Sequence, residues 1–384
     1  MRKSNKIHLA STDHCTGCSS CASICPTKSI SMREDKEGFL QPRIDADTCI
    51  QCHKCEKTCP VISPITIPTD FETKAFAAIN KDENVRMRSS SGGMFYALAK
   101  WTIEQGGVVF GARFNENWEV VHDYTETLEG IEPFMRSKYV QSRIGETFKQ
   151  AKQFLDQGRQ VLFVGTPCQI GGLKSYLHKE YDNLLAVDFI CHGVPSPKVW
   201  KSYLKETTQE DTLLDFNFRD KKGGWLDFQC VSTSTSITRR EKQMENVYFR
   251  GFLKDVYQRY SCYKCHFKSV HRLSDMTIAD AWGVQFYLPE MHDDKGTSLL
   301  VVHSLNALDV LKRMPLIERV MVDIEQPIYY NPSLIRSVNM PKYKRKFFFL
   351  LFSISNFKIA SYYIDKDPIV IRIMRKIKRK LHIL

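Results

Sequence analysis

The chain has 384 residues, 43% of them apolar and 11% aromatic, with a formal net charge of +12. This length suggests two to three domains with at least one sizeable core; the amino-terminal MRKSNKIHLASTDHC lacks the apolar stretch of a signal peptide, and no run of about 18 apolar residues is present to span a bilayer. A cytoplasmic protein is expected, and a reducing compartment with an odd total of 13 cysteines argues against a disulfide framework.

Eight cysteines fall into two copies of one pattern: Cys15, Cys18, Cys21 and Cys25 before Pro26, then Cys49, Cys52, Cys55 and Cys59 before Pro60. The offset of 34 residues from Cys15 to Cys49 holds for all four cysteines, the proline and the upstream Asp13 and Asp47, which marks an internal duplication. In C-x2-C-x2-C-x3-C-P, three thiolates wrap one face of a 4Fe–4S cube and the fourth reaches the other copy's cube. One cluster is therefore expected on Cys15, Cys18, Cys21 and Cys59, and a second on Cys49, Cys52, Cys55 and Cys25. Zinc sites of C-x2-C type pair two separated knuckles and do not need a triplet closed by Cys-Pro.

Residues 1–68 thus read as a ferredoxin-like α+β dicluster domain, with strands near 29–32 and 39–44 joined by an acidic turn over 34–38. The prolines of VISPITIPT, residues 61–69, forbid a continuous helix and favour an extended spacer. From residue 74 to 335 the pattern changes. Strands are predicted over 75–79, 108–113, 161–165, 184–189, 276–279 and 298–303, with helices over 93–104, 145–157, 169–177, 197–207 and 247–257. Strand followed by helix, repeated, implies an α/β domain with a mostly parallel sheet, divisible at about residue 150.

Within that domain, Ser89, Ser90, Ser91, Gly92 and Gly93 directly precede a helical period, an arrangement that aims backbone N–H groups and hydroxyls at a phosphate. A plain helix cap explains the same serines without a ligand. No G-x-G-x-x-G is present. Cys168 and Cys191 each follow a strand, where ligands gather in open α/β sheets, and Cys262 with Cys265 form a further C-x2-C pair. Four thiolates suit a third 4Fe–4S cluster, although Cys168 and Cys191 also fit the role of small buried apolar residues. Cys230 shows no partner and reads as packing.

The final residues, 336–384, form a basic tail. Twelve Lys or Arg against Asp365 and Asp367 in residues 341–384 account for +10 of the net charge. The segment IVIRIMRKIKRKLHIL reads as a basic amphipathic helix, and FFFLLFSI, residues 347–354, as suited to an interfacial position beside anionic lipid. Peripheral attachment to the inner face of the cytoplasmic membrane is expected, with a helix docked on the domain as the structural alternative. No aromatic-rich recognition module accompanies the charge, so no nucleic-acid partner is expected.

The segments SSSGG (89–93), SKYVQS (137–142), GTPCQI (165–170), CHG (191–193), CYKC (262–265) and SDMTIADAWG (274–283) resemble, in order, the beta subunit family of coenzyme F420 hydrogenase/dehydrogenase. The resemblance covers about residues 74–335, and the fused dicluster resembles bacterial members encoded near polysaccharide biosynthesis enzymes. It implies an FAD and a third 4Fe–4S cluster on Cys168, Cys191, Cys262 and Cys265. It further implies flavin contacts among Ser89 to Gly93, Lys138, Thr166 and Gln169, the last two beside a cluster ligand. One departure is FICHGVPSP, where His-Gly follows the second cysteine in place of the family's commoner residues. The function implied is a flavoprotein oxidoreductase relaying electrons from a ferredoxin-like donor through the clusters to FAD and an organic substrate. The alternatives are a non-catalytic electron-transfer subunit docking to a partner enzyme, and a remnant whose flavin site is lost.

Overall fold

The computed structural model describes residues 7–67, 70–208 and 211–366. Near the amino terminus, two short helices, α1 (Ser20–Ile24) and α2 (Lys54–Lys57), occupy equivalent places in the two cysteine repeats. Each is entered through a left-handed residue, Ser19 at φ 64° and His53 at φ 56°, which turns the chain sharply between cysteines. Between them, strands β1 (Ile30–Glu34) and β2 (Leu40–Ile44) pair antiparallel, with Ile30 opposite Ile44. The Asp35 carboxylate accepts from the amides of Glu37 and Phe39 and closes that turn, at 2.9 and 3.1 Å.

The main body is an eight-stranded mixed sheet with a three-stranded sheet beside it. In chain order the strands are β3 (Lys74–Asn80), β4 (Val108–Phe114), β5 (Val120–Thr125), β6 (Val161–Gly165), β7 (Leu184–Phe189), β8 (Leu213–Asp220), β9 (Gln229–Ser234), β10 (Thr238–Lys242), β11 (Met276–Asp280), β12 (Ser298–Val302) and β13 (Ile317–Val322). The large sheet runs β13-β3-β12-β11-β7-β6-β4-β5 and the small one β10-β9-β8. Strands β4, β6, β7 and β11 form a parallel centre, and β5 on one side with β12, β3 and β13 on the other add antiparallel flanks. All of β6 and most of β7 are buried, as unbroken apolar runs at the middle of a sheet covered on both faces must be.

The helices that follow α2 are α3 (Glu83–Arg88), α4 (Met94–Glu104), α5 (Thr147–Asp156), α6 (Pro167–Leu177), α7 (Pro197–Thr208), α8 (Val247–Leu253), α9 (Val284–Tyr287), α10 (Leu305–Arg313), α11 (Glu325–Tyr330), α12 (Lys342–Ile354) and α13 (Phe357–Ser361). Helix α8 stops short of the expected residue 257 because the chain turns left-handed at Asp255, φ 58°. No helix among the described residues is long and apolar enough to cross a membrane.

An aromatic core joins the small sheet to the carboxyl-terminal helices: Trp200, Tyr203, Phe216, Phe218, Tyr248 and Tyr257 pack with Phe348, Phe349, Phe352 and Phe357. The structure divides residues 347–354 between a face docked on the body and a face left exposed. Phe348, Phe349 and Phe352 are buried inside the protein, because three rings on one helical face gain more by filling an aromatic core than by facing solvent. The expected amphipathic helix over 369–384 lies outside the described residues.

The dicluster region is bolted to this body. Arg259, 1% exposed, donates to Cys15 O at 2.7 Å, Leu40 O at 2.9 Å and Gln141 Oε1 at 3.1 Å. Arg345 of α12 forks onto the Glu37 carboxylate at 3.0 and 2.5 Å, a bidentate pair between the carboxyl-terminal helix and the β1–β2 turn.

Candidate iron-sulfur centres and the adjoining motif cluster

All 13 cysteines are unbridged among the described residues. In the amino-terminal region they fall into two groups that cross between repeats. Burial raises the Cys21 thiol, and so would negative charge at Cys18, Cys15 and Cys59; Cys18, pushed up by burial to about 12, feels Cys15 and Cys59 in the same way. The other group, Cys25, Cys49, Cys52 and Cys55, lines a single hollow together with Pro26, Ile30 and Ile44. These are the two sets that the crossed spacing calls for, fourth cysteine included.

A third group forms on the carboxyl edge of the parallel strands. Cys168 opens α6 after β6, Cys191 follows β7, and Cys262 and Cys265 lie on and after a short 3-10 turn, Tyr260–Lys264. Burial raises Cys168, and thiolates at Cys265, Cys191 and Cys262 would raise it further; burial pushes Cys262 up to about 12, with Cys191 and Cys265 adding to it. Cys191 is raised by burial and eased down by the Lys268 ammonium, which donates to Cys191 O and to Ser333 O at 2.7 Å. Four soft sulfur donors within electrostatic reach of one another form a donor set that suits an iron-sulfur cube, and the raised values of Cys168, Cys191 and Cys262 mean that metal must displace protons from them to bind. Among the described residues no three His, Cys, Asp or Glu side chains converge tightly enough to grip a single ion; a cube holds its ligands on four separate irons.

Helix α6 stands between the Cys15 group and this third group. Its paired glycines are both closely approached: a Cβ on Gly172 would meet Cys18 Cβ at 3.0 Å and Sγ at 3.1 Å, and one on Gly171 would meet the Phe267 ring at 2.7 Å. Ser20 Oγ donates to Gly172 O at 2.9 Å. Cys168 sits four residues before Gly172, about 6 Å along the helix axis. Nearby, His14 and His266, neighbours of Cys15 and Cys265, stack at 5.8 Å.

The remaining motifs gather on the same edge, held by internal bonds. Ser89 Oγ donates to Val85 O at 2.8 Å and Ser91 Oγ to Thr297 O at 3.0 Å, while Ser90 Oγ accepts from the Ser137 amide at 2.9 Å. Ser298 Oγ accepts from the Gly92 amide at 2.9 Å, and Gly93, φ 85°, starts α4 with no side-chain cap. Lys138 is half-buried, desolvation brings it down to about 7, and it donates to the carbonyls of Met135 and Arg136 at 2.6 and 3.1 Å. Thr166 and Gln169 form a capping box on α6; Gln169 also reaches Ser142 Oγ at 2.9 Å, and Thr166 Oγ1 lies 3.1 Å from Cys168 Sγ.

Arg219, Lys221 and Trp225 had no motif to announce them in the sequence. Arg219 of β8 forks onto Asp280, whose carboxylate also accepts from Trp225 Nε1 at 3.0 Å, and Trp225 stacks on Trp282 at 4.7 Å. Lys221 donates to the carbonyls of Arg86, Ser91 and Lys295 and so braces the serine loop from behind. Asp280 therefore holds structure, as its position at a strand end suggests. His192 pairs with Asp255 at 2.8 Å, and Cys230 lies in the aromatic core.

Residues 14–62 match the family model of the 4Fe-4S dicluster domain, and residues 158–327 match the model for the C terminus of the coenzyme F420 hydrogenase/dehydrogenase beta subunit. No curated protein matches the chain. Among solved structures, a chain from a xenon-derivatised F420-reducing [NiFe] hydrogenase complex of Methanosarcina barkeri is similar at 12% identity over 72% of this chain and 99% of that chain, with a TM-score of 0.45. The chain thus joins a region that matches the 4Fe-4S dicluster domain to one that matches the C terminus of the coenzyme F420 hydrogenase/dehydrogenase beta subunit.

Proposed function

We propose that the protein is an iron-sulfur flavoprotein oxidoreductase that takes electrons from a ferredoxin-like donor and relays them through three 4Fe–4S clusters to FAD and an organic substrate. The observation that carries this reading is α6, with Cys168 of the third thiol group at its amino end and Cys18 of the dicluster pressed on it one turn later. Entry through the Cys49 group is supported by exposure: Cys52 is exposed and Ile50 beside it is 63% exposed, so a donor can approach that ligand set closely.

For the flavin, the supporting feature is the uncapped start of α4 after the serine loop, whose first-turn amides suit a phosphate. Bound there, FAD would supply the exchange between one-electron and two-electron steps. The serine hydroxyls and Lys221 shape and brace the loop, and Lys138 holds the neighbouring turn at Met135 and Arg136. Because each of these side chains already has a protein partner, the second reading stands beside the first: an electron-transfer subunit that docks to a partner enzyme and has no substrate site of its own.

Anaerobic purification followed by iron, sulfide and flavin analysis tests both. About twelve irons per chain support three cubes, and about eight remove the third. The C168S variant should lose about four irons and keep the rest. A yellow cofactor released on denaturation supports the flavoenzyme, and its absence from fully iron-loaded protein favours the docking subunit.

A further inference from the structure

Helix α12 is amphipathic on two opposite faces. Its inner face buries Arg345, Phe348, Phe349 and Phe352. On the outer face Lys346, Leu350 and Ile354 recur at i, i+4 and i+8, with Lys342 and Tyr343 alongside. Leu350 is 55%, Tyr343 60% and Ile354 75% exposed. Aliphatic side chains this open usually occur singly; here they stand in a row with lysines.

The charge of this surface has one sign. Among the described residues no carboxylate pairs with Lys342, Lys346 or Lys358. The nearby acids are engaged elsewhere: Asp365 with Arg250 and Lys254, Glu206 with the amides of Phe357 and Lys358, and Glu37 with Arg345. The sequence after Lys366 adds six Lys or Arg against Asp367 alone. An occupant must therefore accept apolar side chains and carry negative charge at the same depth, which is the character of an anionic bilayer interface.

We propose that the outer face of α12 rests on an anionic membrane surface, with Leu350 and Ile354 at the acyl boundary and Lys342 and Lys346 among the headgroup phosphates. The aromatic inner face anchors the helix to the body, so the body would be held against the membrane through α12. This goes beyond the redox reading and does not depend on which cofactors are bound.

Flotation of the purified full-length chain with vesicles of phosphatidylglycerol in phosphatidylcholine, compared with phosphatidylcholine alone, tests it. Binding should occur with the anionic vesicles only and weaken with salt. The variant K342Q/K346Q should lower the partition coefficient about thirtyfold, equivalent to about 1 kcal/mol per neutralised lysine. The variant L350D/I354D should abolish flotation while its iron content and circular dichroism match the wild type, and a chain ending at Lys366 should still bind detectably. Undiminished flotation of both variants overturns the proposal. So do equal flotation with neutral vesicles, loss of all binding on truncation at Lys366, and the failure of the wild-type chain to float, which is the result expected if this face packs on a protein.

Discussion

Arg259 illustrates how one side chain can hold two regions together. Its guanidinium is the shared partner of Cys15 O, Leu40 O and Gln141, groups that would otherwise be buried without a bond. The R259M variant should lose about 3 kcal/mol or more of stability, read as a lower urea midpoint for loss of the dicluster's visible absorbance. His122 provides a pH signature. It is buried against Phe163 with Nε2 on Val164 O at 3.1 Å, and burial brings it down from 6.5 to about 4. Between those values the unfolded chain binds the proton that the folded chain refuses, so stability present above pH 6.5 is lost as pH falls toward 4. From pH 6.5 to 5 this amounts to about 2 kcal/mol. The urea midpoint of H122F should fall less than that of the wild type over this interval. Neither residue could be singled out in the sequence, since a buried arginine or histidine is defined by partners far away along the chain.

At the scale of elements, much was legible. The predicted strands over 161–165 and 184–189 match β6 and β7, because buried central strands are short, unbroken apolar runs bounded by turns. The grouping of the eight amino-terminal cysteines across the two repeats follows their spacing, whereas Cys168 and Cys191 come together with Cys262 and Cys265 only through the sheet. What escaped notice were β5, β8 to β10 and β13, strands in which polar residues face solvent and partners are set by tertiary pairing. The glycine pair in α6 is costly in a helix, and only the close approach of Cys18 and Phe267 explains it. G172V should therefore push Cys18 away and destabilise the protein by about 1 to 3 kcal/mol, with faster loss of iron to a chelator than in the wild type. Equal iron retention would show that the contact yields without consequence.

For the whole molecule, the proline-containing segment after Pro60 reads as a spacer, yet the dicluster does not depend on it for its place. Arg259, the Arg345–Glu37 pair, Ser20 on Gly172 and Gln141 on Thr16 O tie it to the body over a broad front. Protease cleavage within residues 61–67, several of which are exposed, should leave both fragments co-eluting on gel filtration. Adding R345A and R259A should release the head. The sequence left this docking open, with the tail read as lipid-facing or as a helix docked on the domain, because a helix with two useful faces gives a periodicity that does not say which face the protein claims.

The rigid seat also bears on kinetics. Some redox proteins swing a mobile carrier between docking sites, and their turnover slows in glycerol as the swing is damped. Here Cys18 leans on the same helix that carries Cys168 in its first turn, so the span between the two sulfurs is set by one length of backbone. If electrons follow that span, internal transfer should be indifferent to solvent viscosity, leaving only donor arrival to respond to it.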